Sequence, residues 1–246
     1  MDTIMTTHPV VLDHLYVLIF AVIYPLVAFF SYQRILRLIE QGHEPPRNKL
    51  YLETIIGHWA IMFLGVLLWL GLGRSWKSMG FSFDPDWLFY LGALLGGSVI
   101  ILLVMQIKGL KSVSDERIQS LHEQLEPVKP ILPHSRSELH MFYKVSITAG
   151  IVEELLWRGV LIWYLSHYMP VWAAAIISAV GFGLAHSYQG VTQVPKVIAV
   201  GAVFTVLYLM TGSIWVPMIL HASLDILQGR LVYEAVRHPS LQQENA

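Results

Sequence analysis

Three short stretches of this 246-residue chain carry side chains that could do chemistry. The first is Glu153-Glu154-Leu-Leu-Trp157-Arg158, set in an otherwise apolar run. Successive residues on a helix are turned by ~100° from one another. Glu154 and Arg158, spaced i and i+4, share a face and can pair. Glu153 points away from both and is the carboxylate left to face something else. Burial raises the pKa of a carboxyl group, which suits a general base near neutral pH. The second stretch, Gly181-Phe182-Gly183-Leu184-Ala185-His186, ends on a single imidazole. The third, Leu220-His221-Ala222-Ser223-Leu224-Asp225, sets His221 and Asp225 on one face. Ser223 falls on another face, which argues against a Ser-His-Asp triad.

Each group also has a plainer reading. The acidic pair and arginine can be a salt bridge that locks helices. His186 can be a hydrogen-bonded packing residue. His221 and Asp225 can satisfy each other inside a bundle. Taken together they weigh differently. An ionised side chain at mid-bilayer costs ~2.5–3.5 kcal/mol on insertion scales, so such groups converge on a shared polar pocket. A carboxylate base and imidazoles, with no serine or cysteine nucleophile on the same faces, point to water attack on an acyl group. The water would be activated by Glu153 or through a bound metal.

The elements that must position these residues are apolar helices. The composition is 55% apolar and 13% charged, with mean hydropathy +0.56; soluble domains carry roughly 25% charged residues. Apolar windows fall at 15–32, 50–72, 86–107, 139–166, 170–188, 193–211 and 213–233. They are continuous runs, not alternations, so a β-barrel is disfavoured. The expected fold is all-α: a polytopic helical membrane protein of about seven transmembrane helices. Arg34, Arg37, Arg47 and Lys49 follow the first window, and Lys108, Lys111, Arg117, Lys129 and Arg136 follow the third. Arg230 and Arg237 close the chain, while the opposite side has only Arg74 and Lys77. The positive-inside rule then places the N-terminus outside and the C-terminus inside. The first window lacks preceding basic residues and a small-residue cleavage site, and is not expected to be a signal peptide.

One membrane domain over 1–246 is expected. The front spans (1–107) read as accessory, and 108–138 as a cytoplasmic amphipathic linker with a helix at Ser114 to Leu125. The helices of 139–233 carry the three motifs. A net charge of −1 and the absence of cysteine exclude nucleic-acid binding by bulk charge, disulfide scaffolding and thiol chemistry. His58 reads as a packing residue or a helix–helix hydrogen bond, and His140 and His167 as interfacial. Trp69, Trp76, Trp87, Trp163, Trp172 and Trp215 read as interface anchors. Gly96-Gly97 and Gly181-x-Gly183 read as close helix contacts.

Glu-Glu-x-x-x-Arg at 153–158, Phe-x-x-x-His at 182–186 and His-x-x-x-Asp at 221–225 resemble, in order, the three motifs of the CPBP intramembrane proteases. These are the type II CAAX prenyl endopeptidases and their bacterial relatives, also called the ABI family. The resemblance covers roughly residues 140–233. It implies an intramembrane endopeptidase with a polar cavity open to the cytosolic side, acting on a membrane-anchored, CAAX-like and possibly lipidated protein or peptide. It makes Glu153 the water-activating base assisted by His186, and pairs Glu154 with Arg158. His221 and Asp225 take the place of the oxyanion-stabilising pair, where the eukaryotic enzymes often carry Asn in place of Asp225. An ionised Asp cannot donate to an oxyanion; Asp225 would be protonated, orient His221 or bind a metal.

The favoured reading needs no cofactor. The alternative is a divalent metal such as zinc held among Glu153, His186, His221 and Asp225, although no HExxH spacing is present. The expected location is the cell (inner) membrane of a bacterium, or an ER-type membrane in a eukaryote. Two other functions compete: a non-proteolytic membrane scaffold of the bacteriocin-immunity or sensor-partner kind, and a proton-coupled transporter. Against the latter, the chain shows no inverted repeat.

Overall fold

The computed structural model describes residues 8–83, 85–109 and 126–236. The whole of the expected linker helix at Ser114 to Leu125 thus lies outside the described residues. Seven helical rods and no strand occur among the described residues. They are α1 (Val11–Glu40), α2 (Arg47–Gly71) and α3 (Trp87–Gly109). α4 comprises the α-helix Arg136–Glu154, a π-helical stretch Leu155–Leu161 and a last α turn Ile162–Leu165. α5 (Val171–Ala185), α6 (Val194–Thr211) and α7 (Trp215–Val236) follow. Each rod falls on one of the expected apolar windows, and the chain is a polytopic helical membrane protein. α1, α2, α3 and α6 are long and apolar enough to cross a bilayer. α5 has only 15 residues, and α4 and α7 carry the ionisable side chains.

The surface of the bundle is what lipid requires. Val11, Phe30, Leu94, Leu102, Val206 and Ile219 all stand exposed on outer faces, an apolar coat too continuous for a protein in water. α4 is central. It packs against α2 on one side and α7 on the other, α5 pairs with α6, and α3 lies along α7. Directions alternate along the chain, as successive crossings require. Asn48 reaches Ser137 and Trp59 reaches Thr148, so α2 and α4 run parallel. Phe142 faces Gly229, and Gly150 faces Ala222, so α7 runs antiparallel to α4.

α4 begins at Arg136 because Ser135 and Glu138 form a capping box. The Ser135 hydroxyl accepts from the Glu138 N–H at 3.2 Å, and the Glu138 carboxylate accepts from the Ser135 N–H at 3.0 Å. The α4–α7 approach depends on Gly150, where a Cβ would lie 2.7 Å from the Ala222 backbone nitrogen. Gly183 plays the same part between α5 and α6, its Cβ position lying 3.0 Å from the Ile198 nitrogen. Gly96 and Gly97 do not fit the close-contact reading: a Cβ would meet only Leu220 at 3.9 Å at the first and nothing within 4 Å at the second.

The tryptophans divide. Trp87, Trp172 and Trp215 are exposed, as interface anchors should be. Trp69 is instead buried, at 3% exposure, with its ring centroid 4.8 Å from that of Trp163. The Arg74 guanidinium lies 4.5 Å from the Trp163 ring and 5.2 Å from the Trp69 ring. Arg74 also donates to both carboxylate oxygens of buried Asp13 at 2.6 Å. This clamp ties the start of α1 to the end of α2. The rings cover a charge that would otherwise face lipid, and so they turn inward.

Candidate active site

The carboxylates of α4 enter two separate groups. Glu154 is fully buried, and its Oε1 accepts from Arg158 Nη1 at 2.9 Å, the pairing expected from their i, i+4 spacing. The same oxygen lies 2.8 Å from His221 Nδ1 on α7. Arg158, also fully buried, donates through Nη2 to the Gly201 carbonyl at 2.9 Å and through Nε to the Thr205 hydroxyl at 3.3 Å. Its guanidinium lies 4.4 Å from the Phe182 ring. One ion pair thereby joins α4, α5, α6 and α7; its contacts use Oε1 of Glu154, while Oε2 is buried without a hydrogen-bond partner among the described residues.

The Leu155–Leu161 stretch widens to a π turn directly after the two glutamates. Such turns displace backbone groups from the regular ladder and recur at functional sites. A neighbour answers this one: the Ser178 hydroxyl of α5 donates to the Trp157 carbonyl at 2.6 Å. A second π turn, Ile19–Ile23 in α1, lies against it, with the Phe20 ring edge-on to Trp157 at 6.1 Å.

Glu153 faces the other way. Its Oε1 lies 3.0 Å from His58 Nε2 on α2, and its Oε2 lies 3.6 Å from His186 Nε2 at the end of α5. Oε2 is buried and has no hydrogen-bond partner among the described residues. The other ring nitrogen of His186, Nδ1, lies 2.8 Å from the Phe182 carbonyl and donates to it, which turns Nε2 toward Glu153. His221 Nε2 lies 3.6 Å from Asp225 Oδ2, and the Phe204 ring stacks on the His221 imidazole at 4.9 Å. Asp225 is the most open member of the set, its side chain 34% exposed.

The six residues singled out in sequence fall into two contact groups on either side of α4: Glu153 with His186, and Glu154 with Arg158, His221 and, through His221, Asp225. His58 joins the first group. Its expected helix–helix hydrogen bond is present, and its partner is Glu153 itself. Tyr24 of α1, whose hydroxyl lies 2.9 Å from His58 Nδ1, was not visible as a site residue in sequence. Among the described residues, no three His, Asp or Glu side chains are grouped as metal ligands. The four metal candidates split between the Glu153–His186 pair and the His221–Asp225 pair.

Fold and site together define an integral membrane protein with a carboxylate–imidazole centre buried between its helices. Residues 135–227 match the family model described as Rce1-like, type II CAAX prenyl endopeptidase Rce1-like. The resemblance to the CPBP proteases therefore holds, over nearly the stretch where the motifs place it, and it implies a peptidase of the CAAX intramembrane type. No curated protein and no solved structure gives a significant match to the chain.

Proposed function

We propose that the chain is an intramembrane endopeptidase that hydrolyses a membrane-anchored, CAAX-like substrate by Glu-activated water attack. The observation that carries this reading is the Glu153 Oε2–His186 Nε2 pair. A carboxylate oxygen without a hydrogen-bond partner faces an imidazole nitrogen at 3.6 Å. One water fits hydrogen-bonding distance from both. Glu153 takes a proton from that water as the water oxygen bonds to the scissile carbonyl carbon. The carbonyl oxygen becomes an oxyanion. As the C–N bond breaks, the proton held by Glu153 passes to the leaving nitrogen.

His221 is placed to serve the oxyanion. With protons on both ring nitrogens, Nδ1–H donates to Glu154 and Nε2–H remains for the developing charge. Asp225, 3.6 Å from Nε2, steadies that ring until substrate arrives. Glu154 is not a base in this scheme, because its carboxylate is fully buried and ion-paired through Oε1 with Arg158 and His221.

The test uses the full chain in nanodiscs and a fluorogenic peptide ending in a farnesylated CAAX sequence. Wild type cleaves it; Glu153→Gln and His186→Ala do not. Equal cleavage by wild type and Glu153→Gln would remove Glu153 from the reaction.

A further inference from the structure

The family match spans 135–227, yet among the described residues the hydrogen-bond partner of Glu153 lies outside it, on α2. His58 Nε2 lies 3.0 Å from Glu153 Oε1. On its other side, His58 Nδ1 lies 2.9 Å from both the Tyr24 hydroxyl and the Thr54 carbonyl. We infer that Tyr24 and His58 are positioning residues for Glu153, fixing which carboxylate oxygen acts, so that the catalytic centre is completed by the front helices.

Proton accounting fixes the direction of these bonds. An ionised carboxylate only accepts, so the Nε2 facing Glu153 must carry the hydrogen. A ring protonated on Nδ1 alone would set a lone pair against the carboxylate. With the proton on Nε2, Nδ1 accepts from the Tyr24 hydroxyl. With both nitrogens protonated, Nδ1–H donates to Thr54. In either form His58 donates to Oε1 of Glu153. That occupies one oxygen and leaves Oε2, the atom facing His186, to receive the proton from water.

Three further contacts hold the relay in place. α2 is registered against α4 by Trp59, which donates to the Thr148 hydroxyl at 3.1 Å. Tyr51 donates to the Ile131 carbonyl at 2.8 Å, ahead of α4. On α1, Tyr24 sits directly after the π turn Ile19–Ile23, whose Phe20 touches Trp157. Close passage of Tyr24 over α2 is possible because residue 57 is glycine; a Cβ there would lie 2.9 Å from the Tyr24 hydroxyl oxygen. A histidine needed only for packing would not require this polar neighbour aligned on its far nitrogen.

The inference rests on the proposed hydrolase reading, and the experiment separates the two. Full-length wild type, His58→Ala, His58→Gln, Tyr24→Phe and Glu153→Gln are assayed in nanodiscs on the farnesylated reporter. His58→Ala lowers kcat about 10- to 100-fold, the weight of one hydrogen bond to a charged group, with KM unchanged. His58→Gln, whose amide N–H reaches the same oxygen, recovers most of that loss. Tyr24→Phe falls between wild type and His58→Ala. Wild-type rates in His58→Ala, or equal losses in the Ala and Gln variants, overturn the assignment. If wild type cleaves nothing, the hydrolase reading fails and the relay is read from 15N-histidine spectra. A His58 Nε2–H signal that moves in Glu153→Gln and not in His186→Ala supports it; one that moves in neither overturns it.

Discussion

Glu153 and Glu154 stand one peptide bond apart and belong to different helix interfaces. The first carboxylate lies between His58 and His186, the second between Arg158 and His221. A turn of ~100° per residue is enough to send neighbours to opposite sides of a central helix. The proposed division of labour between a base and a structural ion pair therefore rests on α4 having partners on both flanks.

That division predicts opposite phenotypes for the two glutamates. Glu153→Gln leaves the Glu154–Arg158 ion pair intact and keeps the fold, while reporter cleavage drops about 10²- to 10⁴-fold, the range for loss of a positioned base. Arg158→Ala leaves the Glu154 carboxylate buried without its cation and costs about 3–5 kcal/mol. Thermal unfolding in detergent separates them: the Tm falls sharply for Arg158→Ala and stays near wild type for Glu153→Gln.

The Glu154–Arg158 pair was legible in sequence because its geometry is local: four residues on one helix decide it. The three ordered motifs were legible because ionisable side chains are costly in apolar helices and must be explained. The His58–Glu153 bond joins residues 95 positions apart. A single histidine in an apolar run is compatible with many partners, and only the packing of α2 on α4 selects one. Trp69 misled for a related reason. Its place at a helix end suits an interface anchor, and nothing local reveals that Asp13 and Arg74 meet beneath it. The π turn after Glu154 has no sequence signature, since the same residues continue a regular helix equally well. The start of α4 at Arg136, three residues before the apolar window, did have one: Ser135 followed three positions later by Glu138 is a capping signal.

The Asp13–Arg74 clamp predicts an effect at a distance from the site. Both side chains are buried, and each carboxylate oxygen of Asp13 accepts from one guanidinium nitrogen at 2.6 Å. Asp13→Ala or Arg74→Ala leaves an uncompensated charge and costs about 3–5 kcal/mol. The double variant is more stable than either single one, because no charge is then stranded. A double-mutant cycle on Tm measures the coupling, and additive losses would show that the pair contributes none.

Gly150 sets the distance between α4 and α7, and hence the reach of Glu154 to His221. In Gly150→Ala the added carbon lies 2.7 Å from the Ala222 nitrogen and 2.7 Å from its Cβ. Two backbones must part, at a cost of about 1–3 kcal/mol for overpacking. Cleavage should fall further than stability alone explains, because the His221 ring moves with α7. Activity measured well below the variant's own Tm distinguishes displacement from unfolding.

Asp225 provides the sharpest test of how the oxyanion is held. Its Oδ2 lies 3.6 Å from His221 Nε2, close enough to orient the ring and too long for a strong hydrogen bond. An ionised carboxylate beside a developing oxyanion raises the barrier, whereas an amide N–H lowers it. Asp225→Asn keeps the size of the side chain, removes the negative charge and adds a donor. It should therefore retain cleavage of the farnesylated reporter or increase it by a few-fold. Asp225→Ala loses both the charge and the support of His221, and should lower kcat about 10-fold with little change in KM. If Asp225→Asn were instead as slow as Asp225→Ala, the carboxylate itself would be required, and His221 would need Asp225 as an acceptor throughout the reaction.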